Sequence, residues 1–156
     1  EIVFMKPIVE MGSKIGYLPG SEEDKFEPYI KSFKDNIAKI TSKAFYTSYK
    51  RRFKFEPTVF LRGNTIEYSA VILSEAQNLT LHELISVITR VSHNSKLFIN
   101  GDLCQSDIGK KSGLKDLIEI LDNVEGADTM ELGEEFQMRN KIIVDIVKEY
   151  NKFLEK

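Results

Sequence analysis

The sequence predicts an α/β fold of three layers, a mostly parallel sheet with helices on both faces. Three observations carry that expectation. The run Ala70-Val71-Ile72-Leu73 is continuously apolar and stops abruptly at Ser74-Glu75-Ala76-Gln77-Asn78, as a strand buried on both faces does where it leaves a sheet. A second run, Lys96-Leu97-Phe98-Ile99-Asn100, leads straight into Gly101-Asp102-Leu103-Cys104-Gln105. Between them Leu81, Leu84, Ile85, Ile88 and Val91 recur at helical spacing. A helix joining two buried strands is a right-handed crossover, which makes those strands parallel. Open α/β sheets bind ligands beyond the carboxyl ends of their strands, so Glu75 and Gln77 are expected to point into a crevice shared with the loop that ends at Gln105.

Taken in order, Ile2-Val3-Phe4-Met5 reads as a first strand, and Gly12, Gly16 and Leu18-Pro19-Gly20 mark a loop. Ser21 is placed to cap the next helix. There Phe26, Ile30, Phe33, Ile37 and Ile40 form an amphipathic stripe. Pro28 is tolerated near a first turn, so the helix is expected to begin close to Glu27 or to kink there. Phe53 to Leu61, interrupted by Pro57, reads as a short edge strand or extended segment. Arg62-Gly63-Asn64-Thr65 is a turn, and Thr80-Leu81-His82-Glu83 is a capping box. Ser112-Gly113 is expected to open a helix with Leu114, Leu117, Ile118 and Leu121 inward, and Thr129-Met130-Glu131-Leu132 to form another strand. A last helix, from about Asn140, is expected to bury Ile142, Ile143, Ile146, Val147 and Tyr150.

Composition sets bounds on function. With 156 residues the chain has the length of one domain, enough to bury about 70% of its unfolded surface. A single cysteine excludes an internal disulfide, and two histidines with that cysteine argue against a zinc site. No apolar span approaches the ~20 residues that cross a bilayer, and nothing at the start reads as a signal peptide, so no membrane partner and a cytoplasmic location are expected. A net charge of −2 and a pI near 5.8 give no global attraction to nucleic acid. Glu1 stands first without a methionine and a strand follows at once, so the chain is expected to begin inside a larger domain.

Several groups are candidates for chemistry. A strand ending in an acid and a Gln, beside one ending in Gly-Asp-x-x-Gln, is the arrangement by which nucleoside-triphosphate hydrolases hold Mg²⁺ and a water; an ordinary strand end is the alternative. The one basic and aromatic cluster is Lys50, Arg51, Arg52 and Lys54 with Tyr46, Tyr49 and Phe53. Its cations suit phosphates and its rings suit bases, as in single-stranded nucleic-acid sites; the alternative is a solvated surface with the aromatics turned inward. Lys110, Lys111 and the helix start at Ser112-Gly113 form either an anion site or a plain helix cap. Arg62 and Arg90 flank the strands that end at the crevice and are expected to reach a phosphate or a neighbouring subunit, with structural salt bridges as the alternative. Cys104, His82 and His93 show no spacing that supports catalysis.

Several segments, in order, resemble the PhoH family of P-loop ATPases, relatives of the superfamily-one helicases. They are Lys6-Pro7-Ile8-Val9-Glu10-Met11-Gly12, Ile15-Gly16-Tyr17-Leu18-Pro19-Gly20, Leu61-Arg62-Gly63-Asn64-Thr65, Val71 to Thr80, Ile88-Thr89-Arg90, Gly101-Asp102 with Gln105, and Lys111-Ser112-Gly113-Leu114. The resemblance implies a P-loop NTPase (RecA-like) fold over residues 1–156, amino-terminally incomplete, lacking its first strand and phosphate loop. It implies ATP and Mg²⁺ as cofactors, ATP hydrolysis coupled to helicase-like work on RNA or single-stranded DNA, and ring-shaped homo-oligomers. Within it Glu75 matches the Walker B glutamate that orients the attacking water, Gln105 matches the γ-phosphate-sensing Gln, and Arg139 falls where an Arg stabilises transition-state charge. Ser74, Asp102, Arg62 and Arg90 are then expected beside the nucleotide, with Ser74 and Glu75 meeting Mg²⁺ through water.

Two departures stand out. No Gly-x-x-x-x-Gly-Lys-[Ser/Thr] occurs in the sequence, and Ser74 stands where the Walker B pattern has Asp. The alternative expectation is therefore a degenerate module that does not hydrolyse ATP and serves as a nucleic-acid or protein-binding scaffold.

Overall fold

A computed structural model describes residues 1–8, 22–58, 63–133, 136 and 140–154. The chain forms two compact units, Glu1–Leu117 and Ile118–Lys156. In the first, strand β1 (Ile2–Lys6) is followed by helices α1 (Glu22–Ile40) and α2 (Lys43–Tyr49), a short 3-10 turn (Lys50–Arg52) and strand β2 (Phe53–Pro57). Strand β3 (Ala70–Leu73), helix α3 (Leu81–Ile88), strand β4 (Lys96–Ile99) and helix α4 (Leu114–Leu121) come next. Helix α4 begins in the first unit and ends in the second, which also carries α5 (Lys141–Leu154).

The four strands form one sheet in the order β2-β1-β3-β4, and every pairing is parallel. The fold is therefore the α/β class that the alternation of strands and helices predicts, consistent with a P-loop NTPase sheet. Parallel register puts Val3 beside Val71 and Met5 beside Leu73. These four are at most 2% exposed and form the centre of the core, together with Leu84 and Val87 of α3 and Leu114 and Leu117 of α4. On the other face of β1, Phe4 lies 4.9 Å from Phe33 of α1 and 5.5 Å from Phe55 of β2, ring centroid to centroid. Helix α1 thus covers the β1–β2 half of that face.

Four expectations need correction. Strand β4 reads as buried in the sequence, yet it is the sheet edge: Lys96 is exposed and Phe98 is 55% exposed, because no described element covers that side of it. Helix α1 begins at Glu22, ahead of Glu27. Thr129–Leu132 is irregular and not a strand, with Met130 and Leu132 exposed. The apolar stripe of α5 is real, but Ile142, Ile146 and Tyr150 are more than half exposed. An amphipathic helix records which side is apolar, and burial needs an opposing surface. The loop at residues 9–20, the cap at Ser21 and Leu61 lie outside the described residues.

Candidate functional site

The carboxyl ends of β1, β3 and β4 come together at one edge of the sheet. Strand β3 is continued by Ser74, whose amide donates to Met5 O at 2.9 Å. Glu75 then turns the chain with a left-handed backbone, φ 58° and ψ 38°. That conformation is uncommon for a residue with a Cβ, and it diverts the chain into the 3-10 turn Ala76–Asn78. The turn is locked to β4, since Ala76 N–H donates to Asn100 O at 3.0 Å.

Gln77 is the centre of the arrangement. Its residue is 2% exposed. Its Nε2 donates to Glu75 Oε2 at 2.8 Å and to Gln105 O at 3.3 Å, while its Oε1 accepts from Asp102 N–H at 3.1 Å. One buried amide thus ties the acid after β3 to both ends of the loop after β4. The expectation that Gln77 points into a crevice is corrected: its side chain is turned into the protein, where every polar atom has a partner. Burial of an amide is tolerated on that condition.

Neighbouring residues brace the same loop. Ser106 Oγ donates to Gln77 O at 3.0 Å, Asn78 Nδ2 donates to Asp107 Oδ2 at 3.0 Å, and Asp107 N–H donates to Asn78 Oδ1 at 2.8 Å. Gly101 allows a close approach, because a Cβ there would lie 2.6 Å from Leu114 Cδ2 and 3.0 Å from Gln77 Oε1 and would force those side chains to shift. Thr80 caps α3 in the expected box with Glu83. Gly113 N–H donates to Leu79 O at 2.9 Å, which brings the start of α4 against the start of α3.

The predicted site residues fare differently. Glu75 and Gln105 follow the ends of adjacent strands, and Gln77 joins the carboxylate of one to the backbone of the other. The Gln105 residue is exposed. Ser74 is half-buried beside Glu75. Asp102 uses Oδ1 to accept from Cys104 N–H at 2.8 Å, which shapes the turn. Arg90 is not brought to the site. Its carbonyl accepts from Ile66 N–H at 2.8 Å, and Val91 bridges Ile66, at the amino ends of β3 and β4. The physical reason is the crossover itself: α3 runs back across the sheet, so its last turn stands at the opposite end from Glu75. Arg62 and Arg139 lie outside the described residues. Lys6 is a member of the site that sequence reasoning did not single out. Its Nζ stands 3.7 Å from Glu75 Oε1, and only the adjacency of β1 and β3 reveals it.

Among the described residues no three His, Cys, Asp or Glu side chains gather as a ligand set. Glu75 Oε2 is engaged by Gln77 and Oε1 faces Lys6. A hydrated Mg²⁺ keeps several waters, so Ser74 and Glu75 suit at most an outer contact.

A family model described as "PhoH-like protein" matches residues 1–151. The chain belongs to the PhoH family. It is 31% identical over 156 residues to the PhoH-like protein of Bacillus subtilis, covering 97% of this chain and 49% of the relative. It is 32% identical over 155 residues to the PhoH-like protein of Synechocystis, covering 97% and 47%, and 30% identical over 147 residues to protein PhoH of Escherichia coli, covering 90% and 42%. The chain thus spans about half the length of these PhoH relatives. No helix among the described residues is long and apolar enough to cross a membrane.

Proposed function

We propose that this chain is the carboxyl-terminal portion of a PhoH ATPase domain, supplying the water-orienting carboxylate of Glu75 and the phosphate-sensing amide of Gln105. The observation that supports it is the Gln77 bridge, which holds both residues at the carboxyl ends of two adjacent parallel strands. This is where open α/β sheets bind their ligands. Catalysis of phosphoryl transfer is largely positioning and electrostatics, and a buried amide that fixes the carboxylate supplies positioning. The left-handed backbone of Glu75 is in keeping with that reading, since strained residues cluster at functional sites.

The nucleotide is ATP with its Mg²⁺. The phosphate loop is expected on polypeptide outside these 156 residues. Arg139 is assigned to transition-state charge, and hydrolysis is coupled to work on RNA or DNA by a ring of subunits. A second reading, a scaffold that does not hydrolyse ATP, is favoured by Ser74. Replacing an Asp there forgoes a charge-assisted hydrogen bond, on the order of 1.5–3 kcal/mol or roughly ten- to a hundredfold.

Isothermal titration with ATP and Mg²⁺ tests the first part. The chain alone is expected to bind weakly, and micromolar affinity would overturn the division of the site. The second test joins the chain to the part of the Bacillus subtilis relative that precedes the matched residues. Ser74→Asp in that protein should raise hydrolysis and Glu75→Gln should remove it; silence of both favours the scaffold.

A further inference from the structure

We infer that Phe45, Tyr49 and Arg52 form a stacking platform for single-stranded nucleic acid, with Lys50 and Arg51 on its phosphates. This deepens the proposed work on RNA or DNA and places it at a surface apart from the nucleotide residues.

The aromatic residues of the cluster are divided by the fold. Tyr46 is turned inward: its ring lies 5.8 Å from Phe53, which in turn stacks 6.4 Å from Phe4 on the sheet. That contact anchors α2. Phe45 and Tyr49, four residues apart and so on one helical face, are turned outward. They are 45% and 44% exposed, with ring centroids 4.6 Å apart. The two rings are paired with each other and each keeps a face open to water. Helix α2 holds them in place, since Ser42 Oγ accepts from Phe45 N–H at 3.1 Å as its N-cap.

Charge selects the ligand. The guanidinium of Arg52 stands 5.8 Å from the centroid of Tyr49, within cation–π range. Lys50, Arg51 and Arg52 are exposed consecutive cations, and no described carboxylate forms an ion pair with them. Lys54 is not part of the platform, because its Nζ is held 2.7 Å from Glu1 Oε2. On a chain of net charge −2, this local group of cations beside open rings matches a polyanion that carries flat bases. Base–aromatic stacking with cations on the backbone is the common design of single-strand sites. A duplex hides its base faces and leaves the rings nothing to stack on.

The platform stands at the far end of the sheet from Glu75. The 3-10 turn Lys50–Arg52 enters the amino end of β2, where Phe53 pairs with Ile2, whereas Glu75 follows the carboxyl end of β3. The two sites are therefore separable by substitution.

Fluorescence anisotropy of labelled oligo-uridylate and oligo-thymidylate of about 16 nucleotides, the upper end of such site sizes, tests the proposal on this chain without nucleotide. Binding is expected at low salt. Phe45→Ala and Tyr49→Ala should each weaken it about five- to a hundredfold, Tyr49→Phe should retain it, and a duplex of the same length should compete poorly. Lys50→Ala and Arg51→Ala should each reduce the slope of log affinity against log salt by about 0.7. The exposed positions of these side chains leave the fold intact, checked by circular dichroism. Absence of binding overturns the proposal. So does binding that responds to the cation variants alone, and so does self-association, seen by sedimentation, that Tyr49→Ala abolishes. Since no ATP is present, failure here leaves the nucleotide reading standing, and failure of the ATP experiments leaves this one standing.

Discussion

Gln77 Nε2 donates to Glu75 Oε2 at 2.8 Å from a residue that is itself 2% exposed. The carboxylate at the candidate site is thus oriented by a buried group. Gln77→Met keeps the length of the side chain and removes its three hydrogen bonds. It leaves Asp102 N–H and Gln105 O without their partner, and the expected loss is on the order of 2 kcal/mol in urea unfolding. Gln77→Glu should cost more, because it sets a second carboxylate against Glu75.

Glu75 adopts φ 58°, so its backbone and its side chain ask for different residues. Glu75→Gly should be more stable than Glu75→Ala by about 1 kcal/mol in thermal or urea unfolding, because glycine alone meets no Cβ penalty there. The opposite order would show that the turn after β3 relaxes when the carboxylate is removed.

Two glycines separate close packing from backbone conformation. A Cβ at Gly113 would lie 2.0 Å from Leu81 N and 2.3 Å from its Cα. Main-chain atoms cannot step aside, and Gly113→Ala should cost about 3 kcal/mol or more. Gly126, at φ +86°, has open space around it. Gly126→Ala should cost only the left-handed penalty of about 1–2 kcal/mol. Chemical unfolding of the two variants decides the ranking.

The capping box at α3 is complete: Thr80 Oγ1 accepts from Glu83 N–H, and Glu83 Oε2 accepts from Thr80 N–H at 2.8 Å. Thr80→Ala is expected to lower stability by about 1 kcal/mol. Hydrogen exchange should show the loss first in the amides of the first turn.

The Glu1–Lys54 ion pair predicts a pH response. The hydrogen bond from Lys54 holds the Glu1 carboxyl below its ordinary value, and Glu1 holds the Lys54 ammonium above its own. A depressed acid contributes above its unfolded value and loses that contribution as pH falls through the folded one; a raised amine contributes below its unfolded value and loses it as pH rises through the folded one. Titration of Glu1 by NMR should show the depressed value, and Lys54→Met should return it to the ordinary carboxylate range.

The α/β class, the positions of β1, β3 and β4, the box at Thr80 and the spacing from Glu75 to Gln105 were legible in the amino-acid order, because each rests on local periodicity or on a short motif. What only the tertiary structure decided is where side chains go once elements meet. Gln77 and Lys6 became parts of one site because β1, β3 and β4 end side by side. Arg90 left it because a crossover helix carries its last turn to the other end of the sheet. Tyr46 turned inward and Phe45 outward although one residue apart, since the sheet offers Phe53 on one side of α2 and water on the other. Helical or strand spacing states which face of an element is apolar; whether that face is covered depends on a neighbour distant in sequence, and so it is decided by the assembly of the sheet.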